Sequence, residues 1–155
     1  TLVTRDLYET VRSAYIEDVG GIIELIEPLE TAGVLVRRSR ELLESEIKRF
    51  TVVERDGMVI GCAALYPFDQ GRVGELACVA VHANYRHGQR GRKLLEHIEK
   101  RARQQGISEL FVLTTQTSHW FQELGFDASS PDALPGERKS LYNYQRNSKV
   151  FRKKI

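Results

Sequence analysis

The dipeptide Asp56-Gly57 stands between two runs rich in β-forming residues, 51–55 (Thr-Val-Val-Glu-Arg) and 58–66. Asp-Gly readily adopts the two positive φ angles of a type I′ turn, so these runs are expected to form a hairpin. A further strand over 73–81 follows a turn at Gly71. Beyond it lie a polar loop, 83–90, and a helix from about Gly91. That helix places Leu94, Leu95, Ile98 and Ala102 on one face and stops at Gly106. An apolar strand, 110–113, comes next. Strand, helix and strand at this spacing imply a right-handed parallel crossover. A chain that begins with hairpins and adds one crossover builds a mixed sheet. The expected fold class is therefore α+β, a mixed central sheet flanked by helices, not a doubly wound fold.

The remaining segments fit around this frame. Residues 11–16 read as a first strand. Asp18 is placed to cap a helix whose Ile22, Leu25, Ile26 and Leu29 follow i, i+3, i+4, i+7, and Gly33 ends it. Ser39 is placed to cap a second helix with Leu43, Ile47 and Phe50 facing inward. A short helix over 118–124 stops at Gly125, residues 141–145 read as the last strand, and the basic residues 152–154 read as a solvated tail. With 155 residues, no repeat and no linker, a single domain over 1–155 is expected.

Composition excludes several functions. Lys plus Arg is 23 and Asp plus Glu is 21, and a net charge of +2 is too weak to recruit nucleic acid. No stretch approaches the roughly 20 apolar residues of a membrane span, and residues 1–9 do not read as a signal peptide. Cys62 and Cys78 sit in apolar runs without a CxxC pattern, and the four histidines lack ligand spacing. Neither a disulfide scaffold nor a metal site is expected, and a reducing, cytoplasmic setting fits.

Four groups of residues could carry chemistry. The loop Arg86-His87-Gly88-Gln89-Arg90-Gly91 lies between a strand and a helix, where free N–H groups and the positive dipole end suit a phosphate. It equally fits a solvated turn whose glycines serve geometry alone. Glu75 interrupts a nearly apolar strand, either as an outward-facing edge residue or as a general base beside a ligand. Arg37, Arg38 and Arg40 oppose a helix dipole at a helix start, which leaves a solvated basic corner or a carboxylate clamp. Arg138, Lys139 and Arg146 form a second basic group, and two such groups suit a substrate with two carboxylates. Cys78 in its strand reads as core before it reads as a nucleophile.

Together these pieces resemble the GCN5-related N-acetyltransferase (GNAT) fold. The stretch 79–91 followed by Leu94-Leu95 resembles its acetyl-CoA motif, and Trp120-Phe121-Gln122-Glu123-Leu124-Gly125-Phe126 resembles its later helix. Segments 16–22, 35–41, 60–65, 74–81 and 142–150 are similar to the acetyltransferase domain of bacterial N-acetylglutamate synthases, so the resemblance covers nearly the whole chain. It implies transfer of acetyl from acetyl-CoA, as co-substrate and without a metal, to the α-amine of L-glutamate, the entry to arginine synthesis. It also implies that Arg86, His87, Gly88, Gln89, Arg90 and Gly91 bind the phosphates of acetyl-CoA. The cofactor's arm is then expected along Cys78, Val79, Ala80 and Val81, with Phe121 nearby. Arg38, Arg138 and Arg146 hold the substrate carboxylates, and Glu75 serves as base.

Two positions depart from the family pattern. Gln89 replaces the middle glycine of the phosphate motif. Phe121 replaces the tyrosine that usually protonates the leaving thiolate; the resemblance implies a hydroxyl at the end of the preceding strand as acid, here Thr114, with Tyr142 a less favoured substitute, and a thiolate leaves readily enough that a reaction without a strong acid is the other reading. The usual family member carries an N-terminal amino-acid-kinase-like domain that senses arginine. Nothing in these 155 residues encodes it, so the catalytic half alone or a short form is expected, with a homo-oligomer possible in the longer form. Two other readings stand beside this one: a same-fold acetyltransferase for another amine, and a non-catalytic domain that senses acetyl-CoA or an amino acid.

Overall fold

The structure is a computed structural model that describes residues 9–85, 89–114, 118–139 and 148–155. Strands β1 (Glu9–Ser13), β2 (Phe50–Arg55), β3 (Met58–Phe68), β4 (Val73–Val81), β5 (Glu109–Thr114), β6 (Asp127–Ser129) and β7 (Lys149–Lys154) form a seven-stranded sheet in the order β1-β2-β3-β4-β5-β7-β6. β1 pairs antiparallel with β2 and β2 with β3, while β5 runs parallel to β4 in the register Val73↔Glu109, Gly74↔Leu110, Glu75↔Phe111. The sheet is mixed, as the hairpin-then-crossover order requires. The chain divides into two compact units: residues up to Ala64 with Cys78–Ile98, and Leu65–Ala77 with Glu99–Ile155.

In the first unit the Asp56-Gly57 turn has φ of 51° and 82°, the pair of positive angles that a two-residue hairpin needs. Helix α1 (Val19–Thr31) buries Val19, Ile22 and Ile26, while Leu25 and Leu29 are half-buried. Gly33, at φ 77°, ends it. Ser39 caps α2 (Arg40–Ser45) by accepting from the Leu42 N–H at 3.1 Å. This helix is shorter than its apolar spacing suggests: Ile47 lies in a following 3-10 turn and Phe50 opens β2, and all three of Leu43, Ile47 and Phe50 are buried.

The first strand also differs from expectation. It ends at Ser13, and residues 16–18 form a 3-10 turn ahead of α1. Asp18 makes no side-chain cap on α1. Its carboxylate accepts from the Tyr15 N–H at 2.7 Å and from both terminal nitrogens of Arg12 at 2.8 and 3.0 Å. Arg12 also donates to Glu54 at 2.8 Å, so one guanidinium ties β1, β2 and the entry to α1 together. The Arg12 hydrogen bond holds the Asp18 carboxyl below its ordinary value against the opposing effect of burial, and the Tyr15 N–H adds to the lowering. A depressed carboxylate stabilises the fold above its unfolded pKa and loses that contribution as pH falls through the folded value. Asp18→Asn should therefore be less stable than the parent at neutral pH, and the gap should narrow below about pH 3.8. Thermal melts from pH 7 to 2.5 check this. A pH-independent gap would contradict the assignment.

In the second unit, β7 lies between β5 and β6, antiparallel to both. The expected solvated tail at 152–154 is thus corrected. Arg152 is paired with Glu109 across the sheet, the Lys153 ammonium sits 2.7 Å from Glu99, and the exposed Lys154 closes the strand. A run of basic residues can occupy a strand when its partners offer carboxylates at matching positions. Helix α3 (Arg90–Gln104) has its residues up to Ile98 in the first unit and the rest in the second; it buries Leu94, Leu95, Ile98 and Ala102 as its spacing predicts, and Gly106 ends it at φ 87°. Two short helices, α4 (Ser118–Glu123) and α5 (Gly136–Lys139), complete the unit. Among the described residues no helix is long and apolar enough to cross a membrane. The expected strand at 141–145 lies outside the described residues.

Candidate active site

In the first unit the informative position is Cys78. It has φ of 55° inside a strand, where a side-chain-bearing residue rarely goes. Such a residue breaks the regular ladder locally and re-aims the main chain, a feature that clusters at functional sites. The Cys62 thiol donates to the Cys78 carbonyl at 3.4 Å, and both cysteines are free and buried. Contact with Cys78, followed by burial, pushes Cys62 well up. Cys78 is held below its ordinary value by Cys62 first, against burial, and the positive charge of Arg38 adds to the lowering while Glu30 opposes it. The charge of Arg38 therefore reaches the irregular point of β4. Arg38 itself is anchored through its backbone N–H, which donates to Glu30 Oε2 at 2.8 Å, and its exposed guanidinium also meets the Val36 carbonyl at 3.3 Å. Val79, Ala80 and Val81 continue β4 beyond Cys78.

The start of α3 lies in the same unit. Gln89 takes φ of 64° just before the helix, a conformation that glycine would adopt without strain. The Lys93 N–H bonds the Gln89 carbonyl at 3.0 Å, so the amides of Arg90, Gly91 and Arg92 precede this bond, at the positive end of the helix dipole. Arg90 is tied down. Its Nε donates to Glu9 Oε1 at 3.0 Å, the same oxygen that Arg55 meets at 2.9 Å. Both guanidiniums lie against the Tyr85 ring, at 5.3 and 5.6 Å from its centroid. Burial raises the Glu9 pKa, but the hydrogen bonds from Arg55 and Arg90 outweigh it and hold the carboxyl below its ordinary value. Glu9, Arg55 and Tyr85 escape sequence reasoning because their link to Arg90 is tertiary; Glu9 is 81 residues away. Arg86, His87 and Gly88 lie outside the described residues.

In the second unit Glu75 is only 9% exposed. Its carboxylate accepts from Arg138 Nε at 2.7 Å and, more loosely, from Nη2 at 3.4 Å. The fork of a guanidinium across both oxygens is a strong, oriented pairing. Two residues singled out for separate roles, base and carboxylate clamp, are thus in direct contact. Thr114 is buried at the end of β5, opposite Lys149. Phe121 is 2% exposed and packs edge-on against Trp120 and Phe126, with centroids 4.8 and 5.5 Å away. Arg146 and Tyr142 lie outside the described residues. A cavity of about 180 Å³ in this unit is lined by Asp69, Val73, Glu109, Phe111, Ala133, Pro135 and Arg152, none of them expected site residues. Among the described residues no group of three or more His, Cys, Asp or Glu could hold a metal ion.

Residues 8–126 match the acetyltransferase (GNAT) family. The chain is 63% identical, over its whole length, to an amino-acid acetyltransferase of Pseudomonas putida, of which it covers 36%. It superposes with a TM-score of 0.91 and 43% identity on N-acetylglutamate synthase from Neisseria gonorrhoeae complexed with coenzyme A and N-acetyl-glutamate, over 96% of this chain and 35% of that one. A Mycobacterium tuberculosis protein solved with CoA shares the fold alone, at 22% identity and a TM-score of 0.80, over 94% of this chain and 99% of that one. The chain spans about a third of the length of the curated relatives it matches. With the family match covering most of its residues and the mixed sheet in place, the chain belongs to the GNAT acetyltransferase family.

Proposed function

We propose that this chain transfers acetyl from acetyl-CoA to the α-amine of L-glutamate by direct transfer in a ternary complex, the first step of arginine synthesis in the cytoplasm. The observation that carries the reading is the ion pair between the buried Glu75 of β4 and the half-buried Arg138 of α5, on a strand that turns irregular three residues after Glu75, at Cys78. An otherwise apolar strand carries there a proton acceptor and a re-aimed backbone, and α5 brings a carboxylate-binding cation to that acceptor. Relatives named for amino-acid acetylation, and a similar chain solved with coenzyme A and N-acetyl-glutamate, support the substrate pair.

The residues present fit acetyl-CoA. The amides of Arg90 and Gly91 at the start of α3 suit its phosphates. Arg90, already held by Glu9, orients that turn rather than reaching freely for a phosphate. Arg86, His87, Gly88 and Gln89 complete the phosphate loop in this proposal. The main chain of β4 over residues 78–81 offers its groups to an extended pantetheine arm. Bound acetyl-CoA supplies an activated acetyl group. Arg38 and Arg146 hold glutamate's carboxylates with Arg138 in support, Glu75 takes a proton from the ammonium directly or through water, and a main-chain N–H near Cys78 polarises the acetyl carbonyl. Thr114 is the proposed donor to the leaving sulfur.

Gly91→Asp should raise KM for acetyl-CoA at least tenfold with the melting temperature nearly kept, because a carboxylate at the first turn repels phosphate. Unchanged acetyl-CoA affinity in a direct titration would place the phosphates elsewhere. The activity itself is tested by thiol release from acetyl-CoA in the presence of each of the twenty amino acids. Glutamate should be used far better than glutamine. Equal use of both would defeat the dicarboxylate reading, and CoA binding without turnover of any amino acid would favour a sensor.

A further inference from the structure

The contact between Glu75 and Arg138 raises a question of charge balance. Arg138 Nε lies 2.7 Å from Glu75 Oε1, with the Glu75 side chain 11% exposed and that of Arg138 20%. A substrate ammonium that gives its proton to Glu75 directly comes within the same distance of that carboxylate. It would then meet the guanidinium already there, a like charge at close range in a partly desolvated place. A simple amine has nothing to offer Arg138 in exchange. An α-amino acid does: its carboxylate is one carbon away from the carbon that bears its ammonium.

We propose that the Glu75–Arg138 pair is a zwitterion-exchange lock that makes the base available only to an α-amino acid. The inference rests on the reading of Glu75 as base given above and adds what releases it. The incoming α-carboxylate takes the Arg138 guanidinium, and the α-ammonium takes Glu75. One ion pair becomes two, and no buried charge stands alone at any stage. One proton passes from the ammonium nitrogen to a Glu75 oxygen, leaving the nitrogen lone pair free to form the C–N bond while the acetyl C–S bond breaks and its electrons leave with the sulfur; the second proton that the nitrogen sheds on becoming an amide ends on that sulfur, giving the CoA thiol. In this arrangement Arg138, the supporting arginine of the reading above, selects for the α-carboxylate.

The probe that tests this selection is 4-aminobutyrate, which keeps the amine and the distal carboxylate of glutamate but lacks the α-carboxylate. Calorimetric binding of L-glutamate and of 4-aminobutyrate is measured on the CoA complex of the parent, Arg138→Gln and Arg138→Lys, alongside turnover with acetyl-CoA and a thermal melt. The parent should prefer glutamate by 100-fold or more. In Arg138→Gln, glutamate binding and kcat/KM should fall by at least tenfold more than those of 4-aminobutyrate, collapsing the preference. Arg138→Lys should restore part of it, because the charge returns without the fork. An equal loss for both ligands accompanied by a lower melting temperature would overturn the proposal and make the pair a structural tie, as would an unchanged preference or a parent that binds neither ligand. A parent that binds glutamate without turnover, and loses that preference in Arg138→Gln, would overturn the acetyl-transfer reading while upholding the exchange.

Discussion

Glu75→Gln is expected to lower kcat by about 10²–10⁴-fold near neutral pH, the usual span for loss of a positioned general base. Glutamate's α-amine is protonated at neutral pH, and only the free amine attacks a thioester, so the protein must remove a proton within the complex. Glutamine keeps the shape of Glu75 and can still accept from Arg138, but it cannot take the proton. The deficit should therefore shrink as pH rises and more substrate arrives deprotonated. Acetyl-CoA affinity should hardly change. A pH–rate profile of parent and variant from neutral to alkaline conditions checks this. A deficit constant with pH would mean that Glu75 positions the substrate without taking its proton, and near-parent kcat at neutral pH would remove it as base.

The largest stability effect is expected at Phe111, which lies beside Glu75 in the parallel register of β4 and β5. It is 2% exposed, clusters with Leu134 and Val150 among the buried residues, and its ring lies 5.9 Å from that of Phe68. Phe111→Ala removes a ring from a packed environment and leaves a cavity, at a cost of about 3–5 kcal/mol. Against a typical total of roughly 5–15 kcal/mol that is a large fraction. For a chain of this size it corresponds to a fall in Tm of about 6–20 °C. Phe111→Leu should recover much of it. Urea titration of both variants checks the order, and a Phe111→Ala midpoint equal to the parent's would show that Phe111 is not part of a tightly packed core. Because Phe111 backs the strand that carries Glu75, Phe111→Ala should also lose activity before it unfolds.

The elements set by local chemistry were legible in the sequence. Asp56-Gly57 reads as a hairpin because few dipeptides accept two positive φ angles, and Ser39 reads as a cap because its oxygen reaches an amide three residues on. β4 runs over the 73–81 stretch that its apolar pattern marks. Where the reading failed, a longer-range contact decided. Asp18 looked like the cap of α1 but is occupied by Arg12, and Phe50 completes a helical spacing yet is drawn into β2 by pairing with Ala64 of β3. The basic end of the chain becomes a strand because Glu109 and Glu99, far back in sequence, meet Arg152 and Lys153. The same limit applies to the candidate site. Glu75 and Arg138 stand out separately, one as an acid in an apolar strand and the other in a basic cluster, but no spacing rule joins residues 63 positions apart. The positive φ at Cys78 has no sequence signal, since cysteine carries none of the usual preference for that conformation.

The central claim is that a bond forms between the acetyl carbon of acetyl-CoA and the α-nitrogen of glutamate. It is tested most directly by incubating the chain with acetyl-CoA labelled with ¹³C at the acetyl carbonyl and with ¹⁵N-labelled L-glutamate, and following the ¹³C–¹⁵N coupling by NMR. The account predicts a one-bond coupling that grows with time, depends on enzyme, and is strongly reduced in Glu75→Gln. Persistence of uncoupled glutamate while acetyl-CoA is consumed, or while it binds without being consumed, would contradict it.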